Sequence, residues 1–188
     1  MRRLDTRPAK KLRNPQRHLR SLARWPEWIE LDLPESAELA ARRYWAFKIP
    51  VFSKAVEPPH ATPEAQRDCF AALFAAAEKV ERSRLRPENC RVAVLATTPF
   101  LFNSEVTLFA DEDYFQSFLA GPAVARTEMD GGGWIEAAPA DPVLLAELAP
   151  APPDGLAFRG GARLTEYDPE WGEAPAARVN WVWAYDRH

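Results

Sequence analysis

The pattern of apolar and polar positions predicts two paired strands and a helix in the middle of the chain. From Val92 to Thr97 both alternating sets of residues are apolar enough to predict a strand covered on both faces. Glu105–Ala110 alternates similarly and is the predicted partner strand. Asp111 is suited to cap the following helix, because its carboxylate can accept amide hydrogens of the first turn. Glu112 and Asp113 would then favour the positive end of that helix.

Similar patterns predict the remaining elements. Thr62-Pro63 opens the clearest helix and Pro87 closes it, whereas Asn14-Pro15 opens a basic helix that Pro26 is expected to end. A short strand or extended segment is predicted from Trp28 to Leu33. Further strands are predicted at Arg43–Val51, Ala157–Tyr167 and Arg178–Asp186. This order predicts an α+β fold: a single domain over residues 14–188, with a largely antiparallel sheet and helices packed on one face. Residues 1–13 are predicted to form a flexible basic arm.

Charge is distributed unevenly along the chain. The formal net charge of the 188 residues is −3, yet residues 1–24 hold nine Lys or Arg and one acid. From residue 92 to the end there are five Arg and fifteen Asp or Glu. A basic arm therefore precedes an acidic body, which bears on how partners are attracted over long range and not on the fold.

The sequence also carries signals about location. The basic start is followed by no apolar segment of the secretory kind, and no window approaches the roughly 20 apolar residues that span a bilayer. Cys69 and Cys90 show no metal-binding or redox spacing, so both are expected to be buried as small hydrophobic residues. We therefore expect a protein of the bacterial cytoplasm with no membrane partner.

No recognised catalytic pattern occurs in the sequence. The three histidines, His18, His60 and His188, do not accompany a nucleophile at the end of a predicted strand. Phosphate-loop, dinucleotide and zinc patterns are also missing. The sequence therefore predicts a protein that is not an enzyme and that has no cofactor and no metal.

Two acidic groups are the main candidates for function. The first joins Glu105 to Asp111, Glu112 and Asp113, which could hold a divalent ion or supply a general acid and base. Helix capping explains the three consecutive acids without any such site. The metal-dependent or hydrolytic enzyme that these carboxylates would serve is therefore kept as an alternative.

The second acidic group lies on a predicted hairpin loop around Trp171. It comprises Glu166, Asp168, Glu170 and Glu173. An exposed tryptophan ringed by acids is the kind of surface that binds a cationic protein, with an aromatic anchor and complementary charge at the rim. An ordinary solvated hairpin is the simpler interpretation, and the sequence leaves both open.

A stripe of arginines on the first helix suggests nucleic acid as another alternative. Arg13, Arg17, Arg20 and Arg24 follow helical spacing and would lie on one side. The acidic body would repel phosphate, however, and no DNA-binding motif accompanies the stripe. A nucleic-acid accessory protein is therefore kept as a second alternative; the arginines could equally dock on the protein's own acids.

Three segments carry a resemblance to a known family. They are NPQRHLRSLARWPEWIELDLPES at Asn14–Ser36, YWAFKIPVFS at Tyr44–Ser53 and SEVTLFADEDYFQS at Ser104–Ser117. Together they resemble a family of short bacterial proteins catalogued as a domain of unknown function, over roughly the first two-thirds of the chain. The resemblance implies a bacterial, cytosolic, single-domain protein, and it transfers no catalytic residue.

The leading functional hypothesis is a protein-binding inhibitor. An immunity protein that blocks the basic active face of a bacterial toxin fits the size of the chain, its acidic C-terminal half and its seven tryptophans. The predicted contact residues are Trp171 with the acids at 166, 168, 170 and 173, and Asp111 to Asp113.

Overall fold

The computed structural model of the protein describes residues 14–29, 31–50, 56, 62–99, 101–120, 126–128, 134–167 and 176–186. The basic arm predicted at residues 1–13 lies outside these ranges. The described helices are α1 (Pro15–Ala23), α2 (Trp25–Trp28), α3 (Ser36–Arg42), α4 (Pro63–Glu81), α5 (Glu112–Ala120) and α6 (Val143–Ala146). A short 3₁₀ turn at Leu101–Asn103 joins two of the strands.

Seven strands in the described ranges form one sheet. They are β1 (Tyr44–Lys48), β2 (Arg91–Thr98), β3 (Glu105–Phe109), β4 (Arg126–Glu128), β5 (Trp134–Pro139), β6 (Leu156–Tyr167) and β7 (Ala176–Tyr185). Their spatial order is β1-β3-β2-β7-β6-β5-β4, and every neighbouring pair is antiparallel. The predicted α+β fold with a largely antiparallel sheet is thus confirmed.

Helix α4 covers one face of the sheet. Thr62 caps its start, since the hydroxyl accepts a hydrogen bond from the Ala65 amide at 3.2 Å. Phe70 and Phe74 meet the ring of Trp183 edge-on, with centroid distances of 5.7 and 5.1 Å. Because side chains alternate along a strand, the apolar residues of β2 that pack on this side are Val92, Val94 and Ala96.

Helix α5 packs on the opposite face of the sheet. Its Phe115 is fully buried against Phe109 of β3, with Ala93 of β2 and Ala184 of β7 in the same cluster. These strand residues alternate with those that face α4. The helices are therefore not all on one side, because the acid-capped helix after β3 turns back across the face that α4 leaves open.

Pro26 lies inside a helix and does not end one. Pro26 was predicted to end the first helix, but α1 ends at Ala23 and Pro26 lies in the first turn of α2. Proline is tolerated there because the first helical amides have no partner within the helix. The predicted strand from Trp28 to Leu33 does not form: Trp28 is the last residue of α2, and residues 31–35 have no regular structure.

The two cysteines are buried, as the sequence predicts. Both thiols are free, and Cys69 has no exposed surface. Burial raises the pKa of the Cys69 thiol far above its ordinary value, so that thiol is chemically quiet. Among the described helices, none is long and apolar enough to cross a membrane.

Candidate functional site

The acids at the start of α5 are ordered by the helix itself. The carboxylate of Asp111 accepts a hydrogen bond from the Tyr114 amide at 2.9 Å, so Asp111 is the predicted cap. The Glu112 carboxylate accepts a hydrogen bond from the Gln116 side-chain amide one turn later, at 2.8 Å. Glu112 and Asp113 are exposed. The three acids thus present negative charge to solvent from a defined helix end.

Two exposed tyrosines stand beside these acids. Tyr114 in the first turn of α5 stacks on Tyr44 at the start of β1, with ring centroids 5.7 Å apart and planes 19° apart. Tyr44 is 44% exposed and Tyr114 is 41% exposed. We call Tyr44, Tyr114, Asp111, Glu112 and Asp113 the tyrosine–acid patch. It combines adjacent aromatic rings with concentrated negative charge.

Aromatic packing beneath the patch fixes its position. Phe109 lies opposite Tyr44 in the β1–β3 register. Its ring packs against the rings of Phe115 and Phe118, with centroid distances of 5.5 and 4.8 Å. The Arg91 guanidinium lies over the Phe115 ring, 4.6 Å from its centre. The patch therefore rests on a packed layer and not on a loop.

Of the second predicted acidic group, the structure describes only Glu166. Asp168, Glu170, Trp171 and Glu173 are outside the described residues. Glu166 is near the end of β6, opposite Ala176, and its carboxylate is 3.9 Å from a terminal nitrogen of the Arg178 guanidinium. That ion pair is partly exposed, so we expect it to contribute little stability.

Strand register separates Glu166 from the tyrosine–acid patch. β7 starts beside Glu166 and ends beside Leu156, at the end of the sheet where β2 begins opposite Phe109. The ten residues of β7 span about 30 Å at roughly 3.3 Å each. Glu166 and the tyrosine–acid patch therefore lie at opposite ends of the sheet.

Glu105 is also distant from Asp111. It is the first residue of β3, and Asp111 comes two residues after the last, so the whole strand, roughly 13 Å from Glu105 to Phe109, lies between them. The Thr107 hydroxyl donates a hydrogen bond to Glu105 at 3.1 Å, and Lys48 Nζ is 3.9 Å from its carboxylate. These four carboxylates do not converge on one ion, and the described residues contain no cluster of three or more metal-binding side chains.

Burial raises the pKa of the Glu105 carboxyl, against the lowering effects of Thr107 and Lys48. A raised pKa in the folded state means that ionisation opposes folding, so wild-type stability should fall as pH rises through the folded-state pKa. Glu105→Gln keeps the acceptor for Thr107 and removes the titration. We expect its stability relative to wild type to increase from about pH 4 to neutrality. Denaturant unfolding at several pH values measures this, and a difference independent of pH would contradict it.

Some of the arginines in and next to the first helix already contact other groups of the same chain. Arg20 Nε donates to the Gln16 carbonyl at 3.2 Å. Arg24 pairs with Glu27 at 3.2 Å and lies over the Trp28 ring at 5.1 Å. Arg17 is exposed, whereas Arg13 is outside the described residues. The predicted stripe thus contains one arginine engaged with an acid and a ring of its own chain.

A small cavity of about 240 Å³ opens at the end of the sheet near the C-terminus of α4. Tyr185 lines it, and its buried hydroxyl has no hydrogen-bond partner among the described residues. Burial, with Glu78 and Glu81 nearby, raises the pKa of Tyr185 to about 12. Both carboxylates of the cavity lining are already paired, Glu81 with Arg86 and Asp186 with Arg159.

The tyrosines of the patch were not predicted from the sequence. The alternating pattern around Tyr44 predicts a strand, and the acids before Tyr114 predict the first turn of a helix. Neither pattern indicates that the two rings are close. Their proximity depends on the pairing of β1 with β3, which places Tyr44 opposite the residue that precedes the turn into α5. The sequence signal for this site is Tyr114 directly after three consecutive acids.

A family model matches most of the chain. The model of a family described as a protein of unknown function, DUF3916, matches residues 23–185. No curated protein and no solved structure matches the chain. The match covers most of the chain and includes every strand described above. The protein therefore belongs to the DUF3916 family of proteins of unknown function.

Proposed function

We propose that this protein works by binding another protein, and that the tyrosine–acid patch is the contact surface. The observation that carries the proposal is the stacked, exposed Tyr44–Tyr114 pair beside three acids on a packed helix. Tyrosines are enriched among the residues that dominate binding energy, since they bury a large area at low entropic cost. A rigid anchor of this kind suits a preformed interface.

The charge of the patch suggests the chemistry of the partner. Three successive carboxylates favour a basic surface, and complementary charge raises the association rate and rejects acidic competitors. The acidic C-terminal half of the chain extends this bias. We therefore propose a partner with an exposed group of Lys or Arg residues.

An inhibitor of the immunity-protein kind is the specific form that we propose. Such a protein would act in the bacterial cytoplasm by covering the basic active face of a toxin, and its acids would take the place of substrate phosphates if that toxin were a nuclease. The relevant acids are Asp111, Glu112 and Asp113. Trp171 and the acids at 168, 170 and 173 remain a prediction, whereas Glu166 lies at the far end of the sheet from residues 111–113.

Binding to the protein encoded by the adjacent gene tests this proposal. We expect wild type to form a complex by size-exclusion chromatography and to suppress the partner's toxicity. The double change Tyr44→Ser/Tyr114→Ser should weaken binding by at least about 30-fold, the effect of losing one strong contact residue. Calorimetric titration measures the change in affinity.

A matched control replaces an exposed apolar residue away from the patch. Leu85 is 73% exposed in the turn between α4 and β2, and Leu85→Ser should bind like wild type. Asp113→Asn should slow association and reduce its salt dependence more than it changes dissociation. Equal affinities for wild type and the tyrosine double variant, or failure of wild type to bind or protect, would contradict the proposal.

A further inference from the structure

The outer edge of β1 is unpaired within the described residues. β1 is the first strand of the sheet and pairs with β3 alone. The Arg43 carbonyl accepts a hydrogen bond from the Ala110 amide at 3.0 Å, and the Ile49 amide donates to the Ser104 carbonyl at 3.2 Å. Antiparallel residues alternate in the direction of their backbone groups, so those of Tyr44, Ala46 and Lys48 point away from β3.

A groove runs along this unpaired edge. It has a volume of about 470 Å³ and is lined by Arg42, Tyr44, Trp45 and Ala46. Ala46, whose amide and carbonyl point away from β3, is one of the lining residues. A row of unpaired backbone groups beside accessible aromatic side chains is a template for another strand. The structure thus has room for an added strand where it also has hydrogen-bonding groups to satisfy.

We propose that the groove is filled by β1 of a second copy of the chain, antiparallel and centred on Ala46. In this register Ala46 lies opposite Ala46 of the second copy, and Tyr44 lies opposite Lys48. The outward-facing residues then face each other and exchange backbone hydrogen bonds. On the α4 side of the sheet, Trp45 lies opposite Phe47, so the aromatic side chains meet across the interface.

Strand length selects this register, because only centring on Ala46 pairs all five residues of β1, and the charges agree with it. Centring the pair on Ala46 places Lys48 opposite Tyr44, Arg43 opposite Ile49 and Arg42 opposite Pro50. No cation faces a cation in this arrangement. Centring on Lys48 would bring two lysines together, which is unfavourable for directly opposed residues. Centring on Tyr44 would run the pairing into α3, which ends at Arg42.

The dimer would also arrange the tyrosine–acid patches. The two-fold axis of an antiparallel strand pair is perpendicular to the sheet, so α5 lies on the same face in both copies. The two patches would flank the axis and present a doubled surface to a partner. This consequence rests on the proposed function, whereas the dimer itself does not.

Sedimentation velocity over a range of concentrations tests the dimer. Wild type should shift from 21.2 kDa to twice that mass as concentration rises. Ala46→Pro removes the outward amide without breaking a bond to β3, and we expect it to stay monomeric with near-wild-type melting. Tyr44→Lys should weaken the dimer about fivefold and Tyr44→Glu should tighten it by a similar factor, because both symmetric pairs with Lys48 change.

Cysteine cross-linking tests the register. Residues in a hydrogen-bonded antiparallel pair have Cα atoms about 5.5 Å apart, within disulfide range, so Ala46→Cys should form a disulfide-linked dimer under mild oxidation. Lys48→Cys is the matched control, since its two copies would be about 13 Å apart along the strands. The native Cys69 and Cys90 are buried and should remain unreactive.

A wild-type protein that stays monomeric at all concentrations would overturn the inference. So would dimers that persist in Ala46→Pro, or cross-linking of Lys48→Cys in place of Ala46→Cys. These outcomes leave the proposed function standing, because a monomer can still bind a basic partner. Conversely, a dimer with the expected cross-link and no partner binding would overturn the proposed function alone.

Discussion

Trp181→Ala is expected to lower the free energy of unfolding by about 3–5 kcal/mol, the range for truncating a fully buried aromatic side chain. Trp181 is 1% exposed, and its indole N–H donates to the Thr98 hydroxyl at 3.0 Å. The substitution leaves both a cavity and a buried hydroxyl without that donor. Urea unfolding measures the loss, which is a large share of the stability of an ordinary domain.

Gly161 provides a test of the cause. A Cβ atom at Gly161 would lie 2.5 Å from the Trp181 ring, so Gly161→Ala should destabilise the wild type. In the Trp181→Ala background there is no ring to collide with, so most of the cost should disappear and only the 3.1 Å approach to the Ala140 methyl group remains. Trp28→Ala, at a side chain that is 45% exposed, is the control and should have a small effect. Additive effects of the Gly161 and Trp181 changes would contradict this account.

Phe115→Ala is expected to cost about 3–5 kcal/mol and to loosen α5 from the sheet. Phe115 is fully buried between Phe109 and the Arg91 guanidinium. Arg91 Nε is itself buried without a hydrogen-bond partner among the described residues, so losing the ring removes its compensating contact. Hydrogen exchange should become faster along α5, and the tyrosine–acid patch should lose its defined geometry.

Tyr114→Ala is the matched control in the same helix. Its side chain is 41% exposed, and the Asp111 carboxylate contacts the Tyr114 backbone, which the change preserves. We expect a stability change within about 1 kcal/mol. Partner binding should fall in both variants, for different reasons: Tyr114→Ala removes a contact, whereas Phe115→Ala removes the support. Unchanged exchange in α5 of Phe115→Ala would contradict this interpretation.

Local patterns were sufficient for most elements of the fold. Side-chain chemistry within a few residues predicts three features: the cap at Asp111, the start of α4 at Thr62 and the strand pair β2–β3. The prediction at Pro26 was wrong because proline both ends helices and begins them, and only the continuation into α2 distinguishes the two. The face that α5 covers depends on contacts between distant residues, which periodicity does not contain.

The candidate site was less predictable for the same reason. Sequence proximity grouped Glu105 with Asp111 and suggested one acidic surface from residues 111–113 and 166–173. Strand register separates Glu105 and Glu166 from the start of α5, because the extended chain carries both residues away from it. Residues 168–173 lie outside the described ranges. Tyr44 is seventy residues from Tyr114 in the chain, so only the β1–β3 pairing brings their rings together.

Because α1 and α2 pack on α4, a fragment that folds alone has to include both of these helices. Leu22 of α1 is fully buried, and Lys79 of α4 donates hydrogen bonds to the carbonyls of Pro26 and Ile29 at 2.9 and 3.1 Å. The family match begins at residue 23, one position after Leu22. A recombinant fragment that starts at residue 23 would lack α1 and expose the apolar residues of α4 that α1 covers, so we expect it to aggregate. A fragment for expression should therefore start at or before Asn14.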